Sequence, residues 1–254
     1  MSNQRIGACV LTLESCQNSM DAAKFQLADL AHGTVLHIKN LASARGRQGR
    51  IWQLMPGQFL MTFVLKPEQK LLQRENALPS LFMALSLGVL EPLKKYDVGL
   101  KWPNDLVMQG KKLAGILMES VWQGNGLQGL VVGFAVNVNN QFEADNSLQK
   151  IAISLRAVYH QEFDLHELEQ QFLQSLNHFY DQWVAGSFKD LFLAWQEAQY
   201  CIGKQISVHH ADGSVVCGVM QGVTEKGDLV LKDGAGNEHI ILYAQVLQIE
   251  VDSF

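Results

Sequence analysis

The stretch LKWPNDLVMQGKKLAGILMES, residues 100–120, sets three short β-forming segments against two turn signals. LKW, DLVM and KLAGILMES suit pleated backbone, while PND and QGKK between them are turn chemistry. Strands joined by turns this tight pair antiparallel, because a parallel return needs a crossover of about a dozen residues. The same stretch carries candidate chemistry. Lys112 enters the third strand with Gly115 three residues later, so the lysine can act as a fixed cation over a reacting phosphate and the glycine can admit a flat ligand. Each also has an ordinary reading: Asn104 and Asp105 make a turn, and Lys111 is solvated.

Downstream, GNG at residues 124–126 reads as a hairpin into LQGLVVGFAVNV, extending the antiparallel set. Upstream, LPSLFMALSLGVLEPLKKY has leucines and a valine four apart and predicts a helix that kinks or ends at Pro92. FLMTFVLK is a further strand. Near the start, a strand over Ile6 to Leu13 precedes a helix in NSMDAAKFQLADLAHG, with Asn18 or Ser19 as its cap and Gly33 as its stop. A second strand, TVLHIK, leads into ASARGRQGRIW, residues 42–52, which reads as a ligand-gripping loop. Its guanidinium groups, Arg45, Arg47 and Arg50, suit a carboxylate or a phosphate, and Gly46 and Gly49 let the backbone approach it. An RG-type loop with generic affinity for RNA is the competing reading.

Beyond a polar loop around 140 to 150, two amphipathic helices follow. Leu165, Leu168, Phe172, Leu176, Phe179 and Trp183 share one face of the first, with Asp164 and Glu167 as a capping box; Phe188, Leu191 and Trp195 stripe the second. These aromatics are core. From Cys201 the texture becomes five short strands with the turns ADGS, EKGD and GAGN, which predicts a small β-barrel or sandwich. The chain thus divides into residues 1–200 and 201–254.

Composition narrows the function classes. A net charge of −5 over 254 residues argues against a general nucleic-acid binder. No apolar run approaches the roughly 18 residues of a spanning helix, and the N-terminus lacks a signal-peptide pattern, so a cytoplasmic protein with no membrane partner is expected. The four cysteines have no CxxC spacing, and the eight histidines form no convincing metal cluster, so no metal ligands are assigned. A P-loop GxxxxGK[ST], GxSxG and HExxH are all absent.

Taken in order, ARGRQGRIW, LKWPNDLVMQGKKLAGILMES and VVGFAVNVN resemble the loop, the KWPND stretch and the last core strand of biotin protein ligases. The resemblance covers nearly the whole chain. It implies an α+β fold: a class II synthetase-like mixed sheet with helices packed on it, then a small SH3-like β domain. It also implies a two-step reaction in which biotin and ATP, with Mg2+, give biotinyl-5′-AMP, and a lysine of a biotin carboxyl carrier domain then takes the biotinyl group. Carried over by position, Lys112, Arg45 and Arg47 are the catalytic candidates. Asn18, Ser19, Met20, Arg45, Gly46, Arg47, Lys112 and Gly115 fall at biotin-binding positions. Arg47, Arg50, Trp52, Asn104, Asp105, Lys112 and Asn137 fall at ATP or adenylate positions.

Three residues depart from the family pattern: Leu41 stands where glutamine is usual, and Ala44 and Ala135 stand where glycine is. Losing that buried amide weakens the polar recognition of biotin, unless a neighbour such as Asn40 substitutes for it. The alternatives are a lipoate or octanoate ligase and a biotin-binding protein that no longer transfers. Some family members carry an N-terminal helix-turn-helix domain; here the catalytic region begins almost at Met1, so no specific DNA binding is expected, while a homodimer stays open. The glycines and like charges of the arginine loop predict that it is mobile without ligand.

Overall fold

Two β-sheets organise the computed structural model, which describes residues 5–124, 126–142 and 147–251. The larger holds eight strands: β1 (Val10–Asn18), β2 (Val35–Arg45), β3 (Ile51–Trp52), β4 (Phe59–Leu65), β5 (Val98–Lys101), β6 (Asp105–Met108), β7 (Lys111–Gln123) and β8 (Gly126–Val136). Their order is β1-β2-β4-β8-β7-β6-β5, with β3 paired to β2. β1 and β2 run parallel and the other pairs antiparallel, so the sheet is mixed. The antiparallel run read from residues 100–120 is its β5-β6-β7-β8 half. The β7–β8 hairpin closes as expected with Gln123 opposite Gly126, although its turn residue Asn125 lies outside the described residues.

Central β4 and β8 are buried almost end to end, since helices cover both faces. On one face α1 (Ser19–Phe25) and the turns after it bury Met20, Ala23, Leu27 and Leu30 against Leu36, Val64 and Val131. The other face carries α2 (Gln69–Leu72), α3 (Ala77–Leu90), α4 (Leu155–Tyr159), α5 (Leu165–Ala185) and α6 (Phe188–Glu197). Asp164 caps α5 by accepting from the backbone N–H groups of His166 and Glu167. Phe172, Leu176, Phe179, Trp183, Leu191 and Trp195 are buried, as the aromatic stripes predict. Helix α3 gives way at Glu91–Tyr96 to 3-10 turns at Pro92. Contrary to the sequence expectation, Ala77–Tyr96 is apolar and long enough by composition to cross a membrane; 67% of its apolar window is buried inside the protein.

The second sheet contains β9 (Gln205–His210), β10 (Val215–Val223), β11 (Leu229–Lys232), β12 (Glu238–Ile241) and β13 (Val246–Val251), all antiparallel in the order β12-β11-β10-β9-β13. Its inner residues, among them Ile206, Val208, Leu231 and Val246, join the cluster that holds α3 and α5.

Four local expectations shift. The first strand is Val10–Asn18, not Ile6–Leu13, because residues 6–9 are spent on a turn tied to Gly33. Its polar half, Ser15–Asn18, is held by pairing to β2 at the sheet edge. Helix α1 stops at Phe25, well before Gly33. β2 extends through Arg45, so the arginine segment is a tight hairpin and not a free loop: Ala44 pairs Trp52, Arg45 pairs Ile51, and a 3-10 turn spans Arg47–Gly49. The polar stretch 140–150 contains a 3-10 turn at Ser147–Lys150, with residues 143–146 outside the described set.

Candidate active site

In the large sheet the β6–β7 hairpin brings four predicted residues together. Asp105 pairs Gly115 across the strands, and its carboxylate lies 2.7 Å from Lys112 Nζ. That ammonium sits 5.4 Å from the centre of the Trp52 ring. An ideal Cβ on Gly115 would lie 3.3 Å from both Lys112 Cε and Trp52 Cζ3, so glycine is what allows the lysine and the indole to close over the strand. The Trp52 indole nitrogen is buried with no partner among the described residues. A fixed cation, an aromatic face and a carboxylate within one cluster can bind and polarise a nucleotide phosphate.

Asn104 and Asn137 lie behind this cluster. Asn104 donates from its side chain to the Ile116 carbonyl at 2.9 Å and clamps the turn onto β7. Asn137, 3% exposed, accepts from Gln58 at 3.0 Å and from Asn140 at 3.2 Å, while its own amide faces the Lys112 carbonyl at 3.5 Å. Both support the strand that carries Lys112. Lys111 is not solvated as read above: its Nζ donates to the Gln149 carbonyl at 2.7 Å.

The arginine hairpin builds a second cluster, along a cavity of about 510 Å³ lined by Asp21, Arg45, Gly46, Arg47, Glu119 and Tyr243 among others. Arg45 donates to both oxygens of Asp21 at 2.7 and 2.8 Å and to Glu119 at 2.8 Å. Glu119 also meets Lys24 at 2.7 Å. Burial works against the Arg45 charge and the Glu119 charge alike; the hydrogen bonds of Arg45 with Glu119 and Asp21 raise the arginine pKa, and those of Glu119 with Lys24 and Arg45 lower that of the carboxyl. Two cations and two carboxylates cancel here.

Arg47 is different. It is 7% exposed, donates to the carbonyls of Tyr243 (3.0 Å) and Val246 (3.1 Å), and lies 4.1 Å from the centre of the Tyr243 ring. Burial lowers its pKa, and among the described residues it has no carboxylate within 4.0 Å. Gln48 donates to Val246 at 3.2 Å and Arg50 to Leu247 at 2.7 Å, so the hairpin tip is docked on β13 and not loose. Gly49, at φ +73°, makes that tip turn.

Asn18, Ser19 and Met20 open α1 beside this cavity. Asn18 caps the helix by accepting from Met20 and Asp21 N–H at 3.0 and 3.2 Å, Ser19 shares a 2.8 Å hydrogen bond with Thr62, and Met20 is buried over Gly133. Asn40 does not stand in at the Leu41 position: it is on the exposed edge, donating to the Glu14 carbonyl at 3.0 Å. Asp21, Lys24, Glu119 and Tyr243 were not singled out from sequence. Glu119 was within reach as the last acidic residue of the KWPND stretch. Tyr243 had no local signal, being 196 residues from Arg47.

A biotin acetyl-CoA-carboxylase ligase from Paracoccus denitrificans is 30% identical over 207 residues, 78% of this chain and 83% of the relative. The sequence profile of the biotin/lipoate A/B protein ligase family matches residues 13–137, which hold the lysine cluster and the arginine cluster apart from Tyr243. The chain belongs to this family, on its biotin protein ligase branch. The chain spans 64% of the length of the bifunctional ligase/repressor BirA of Bacillus subtilis, with 25% identity over 213 residues and 82% of its own length covered. In fold it is similar to the biotin protein ligase of Aquifex aeolicus in complex with biotin and ATP, with TM-score 0.79 and 23% identity over 96% of this chain and 99% of that one. That likeness bears out the expected α+β organisation, a mixed sheet with helices followed by a separate antiparallel sheet.

Proposed function

We propose that this ligase activates biotin with ATP to biotinyl-5′-AMP and passes the biotinyl group to a lysine of a biotin carboxyl carrier domain. The observation that carries the reading is the closure of Lys112 and Trp52 over Gly115, with Asp105 at 2.7 Å from the lysine. In the first step a biotin carboxylate oxygen attacks the α-phosphorus and pyrophosphate leaves. Lys112 Nζ offsets the charge that builds on the phosphate oxygens, and Asp105 holds it in place. The Trp52 face receives the adenine. Arg45, Gly46 and Arg47 border the cavity where carboxylate and phosphate meet, and Arg47 brings a positive charge with no carboxylate in salt-bridge contact among the described residues. In the second step the ε-amine of the acceptor lysine attacks the acyl carbon and AMP leaves.

Mg2+ belongs to this reading with the nucleotide. Such an ion is usually held by one or two carboxylates together with substrate phosphates, and Asp105, beside Lys112, is the carboxylate that would hold it. When bound it neutralises phosphate charge.

The test is acyl-adenylate formation. Purified protein with Mg-ATP and, separately, biotin, lipoate or octanoate is expected to yield biotinyl-AMP and pyrophosphate by mass spectrometry, and to label a carrier domain on one lysine. Adenylate from another acid alone would overturn the substrate assignment. Biotinyl-AMP without carrier labelling would restrict the activity to the first step. Leu41, Ala44 and Ala135 make the comparison of acids worthwhile, since all three replace residues usual in the family.

A further inference from the structure

We propose that Tyr243, on the turn between β12 and β13, is a positioning residue of the active site: its ring face holds the Arg47 guanidinium in place along the cavity. A guanidinium this buried needs compensation, and carboxylates supply it for Arg45. Arg47 receives it from two carbonyls and an aromatic face instead. These stabilise a cation without cancelling it, which leaves its charge for an incoming oxyanion. Tyr243 is itself fixed to the KWPND stretch. Its ring meets Trp102 edge-on at 6.3 Å and 84°, and the Trp102 indole donates to the Gly227 carbonyl at 2.8 Å. One side chain therefore ties the second sheet to both functional segments of the first.

The role of Tyr243 in nucleotide binding rests on the ligase reading above; its hold on Arg47 does not. Two variants of the full-length chain separate them. Tyr243→Leu keeps apolar bulk but removes the ring face, and Tyr243→Phe keeps the face. Trypsin cleavage after Arg47, followed by mass spectrometry without ligand, is expected to speed up about tenfold in Y243L, as loss of one buried cation–π contact implies. In adenylate formation the KM for ATP is expected to rise about tenfold in Y243L while kcat stays within about threefold, and Y243F is expected to restore both readouts. Unchanged cleavage and KM in Y243L would overturn the proposal. So would Y243F as impaired as Y243L, since the ring face would then not be the cause. If the parent chain made no acyl-AMP from any acid, the ligase reading would fall, and cleavage would still decide whether Tyr243 holds Arg47.

Discussion

Lys112 and Arg47 are two cations of the proposed site, held by opposite devices. Lys112 stands on a strand beside a carboxylate, and Asp105, Lys112 and Gly115 lie within eleven residues of one another. Arg47 stands on a hairpin tip, and what holds it comes from residues 243 and 246. The first charge is set by a local turn and balanced there. The second is set by tertiary packing and has no direct ion pair among the described residues. A site that must bind an anion and also reorganise its charge during reaction can use both, with one cation fixed by the strand and the other available to the ligand.

Removing the locally built cation should have the largest effect. Lys112→Ala is expected to lower kcat for adenylate formation by about 10² to 10³, the scale of losing one preorganised electrostatic contact. The fold should survive, because the lysine head is partly exposed and β7 keeps its pairing to β6 and β8. Single-turnover kinetics with a circular dichroism control measures both. A K112A enzyme within tenfold of wild type would make the arginine hairpin, not the lysine cluster, the main source of stabilisation. Trp52→Ala comes next. Loss of the stacking face should raise the KM for ATP about 10- to 100-fold, from roughly 1 to 3 kcal/mol of stacking. A rise in the KM for biotin instead would move the adenine away from this cluster.

The same contrast explains what could be read from sequence. Residues 100–136 gave their strands, turns and antiparallel pairing because each feature is local, down to a hairpin whose ends meet at Gln123 and Gly126. The amphipathic helices were legible for the same reason: Phe172, Leu176 and Trp183 repeat at helical spacing and are buried. The arginine segment read as a loop and not as a hairpin, because its contacts lie on β13, some 200 residues later. Polar Ser15–Asn18 concealed half of a strand whose reason is an edge pairing to β2. Glu119 and Asp21 were overlooked because their partner Arg45 lies 74 and 24 residues away in sequence.

The smallest expected effect concerns the balanced pair and is a matter of pH. Burial pushes the Glu119 carboxyl upward, but Lys24 and Arg45 outweigh it and hold its pKa below the ordinary carboxylate value. A carboxyl whose pKa is depressed on folding adds stability above its unfolded pKa, and that stability is lost as pH falls through the folded value. Glu119→Gln should therefore flatten the acid limb of the stability curve below about pH 5 while changing stability at neutral pH by about 1 kcal/mol or less, since the pair keeps about a quarter of its surface exposed. Urea unfolding at a series of pH values gives both slopes. Parallel acid limbs would mean that the Arg45 cluster contributes nothing to stability, and its carboxylates would then serve only to aim Arg45 at the cavity. A flattened limb together with normal adenylate formation would make the balanced cluster a structural support and leave Arg47, the cation with no direct ion pair among the described residues, as the arginine that meets the substrate.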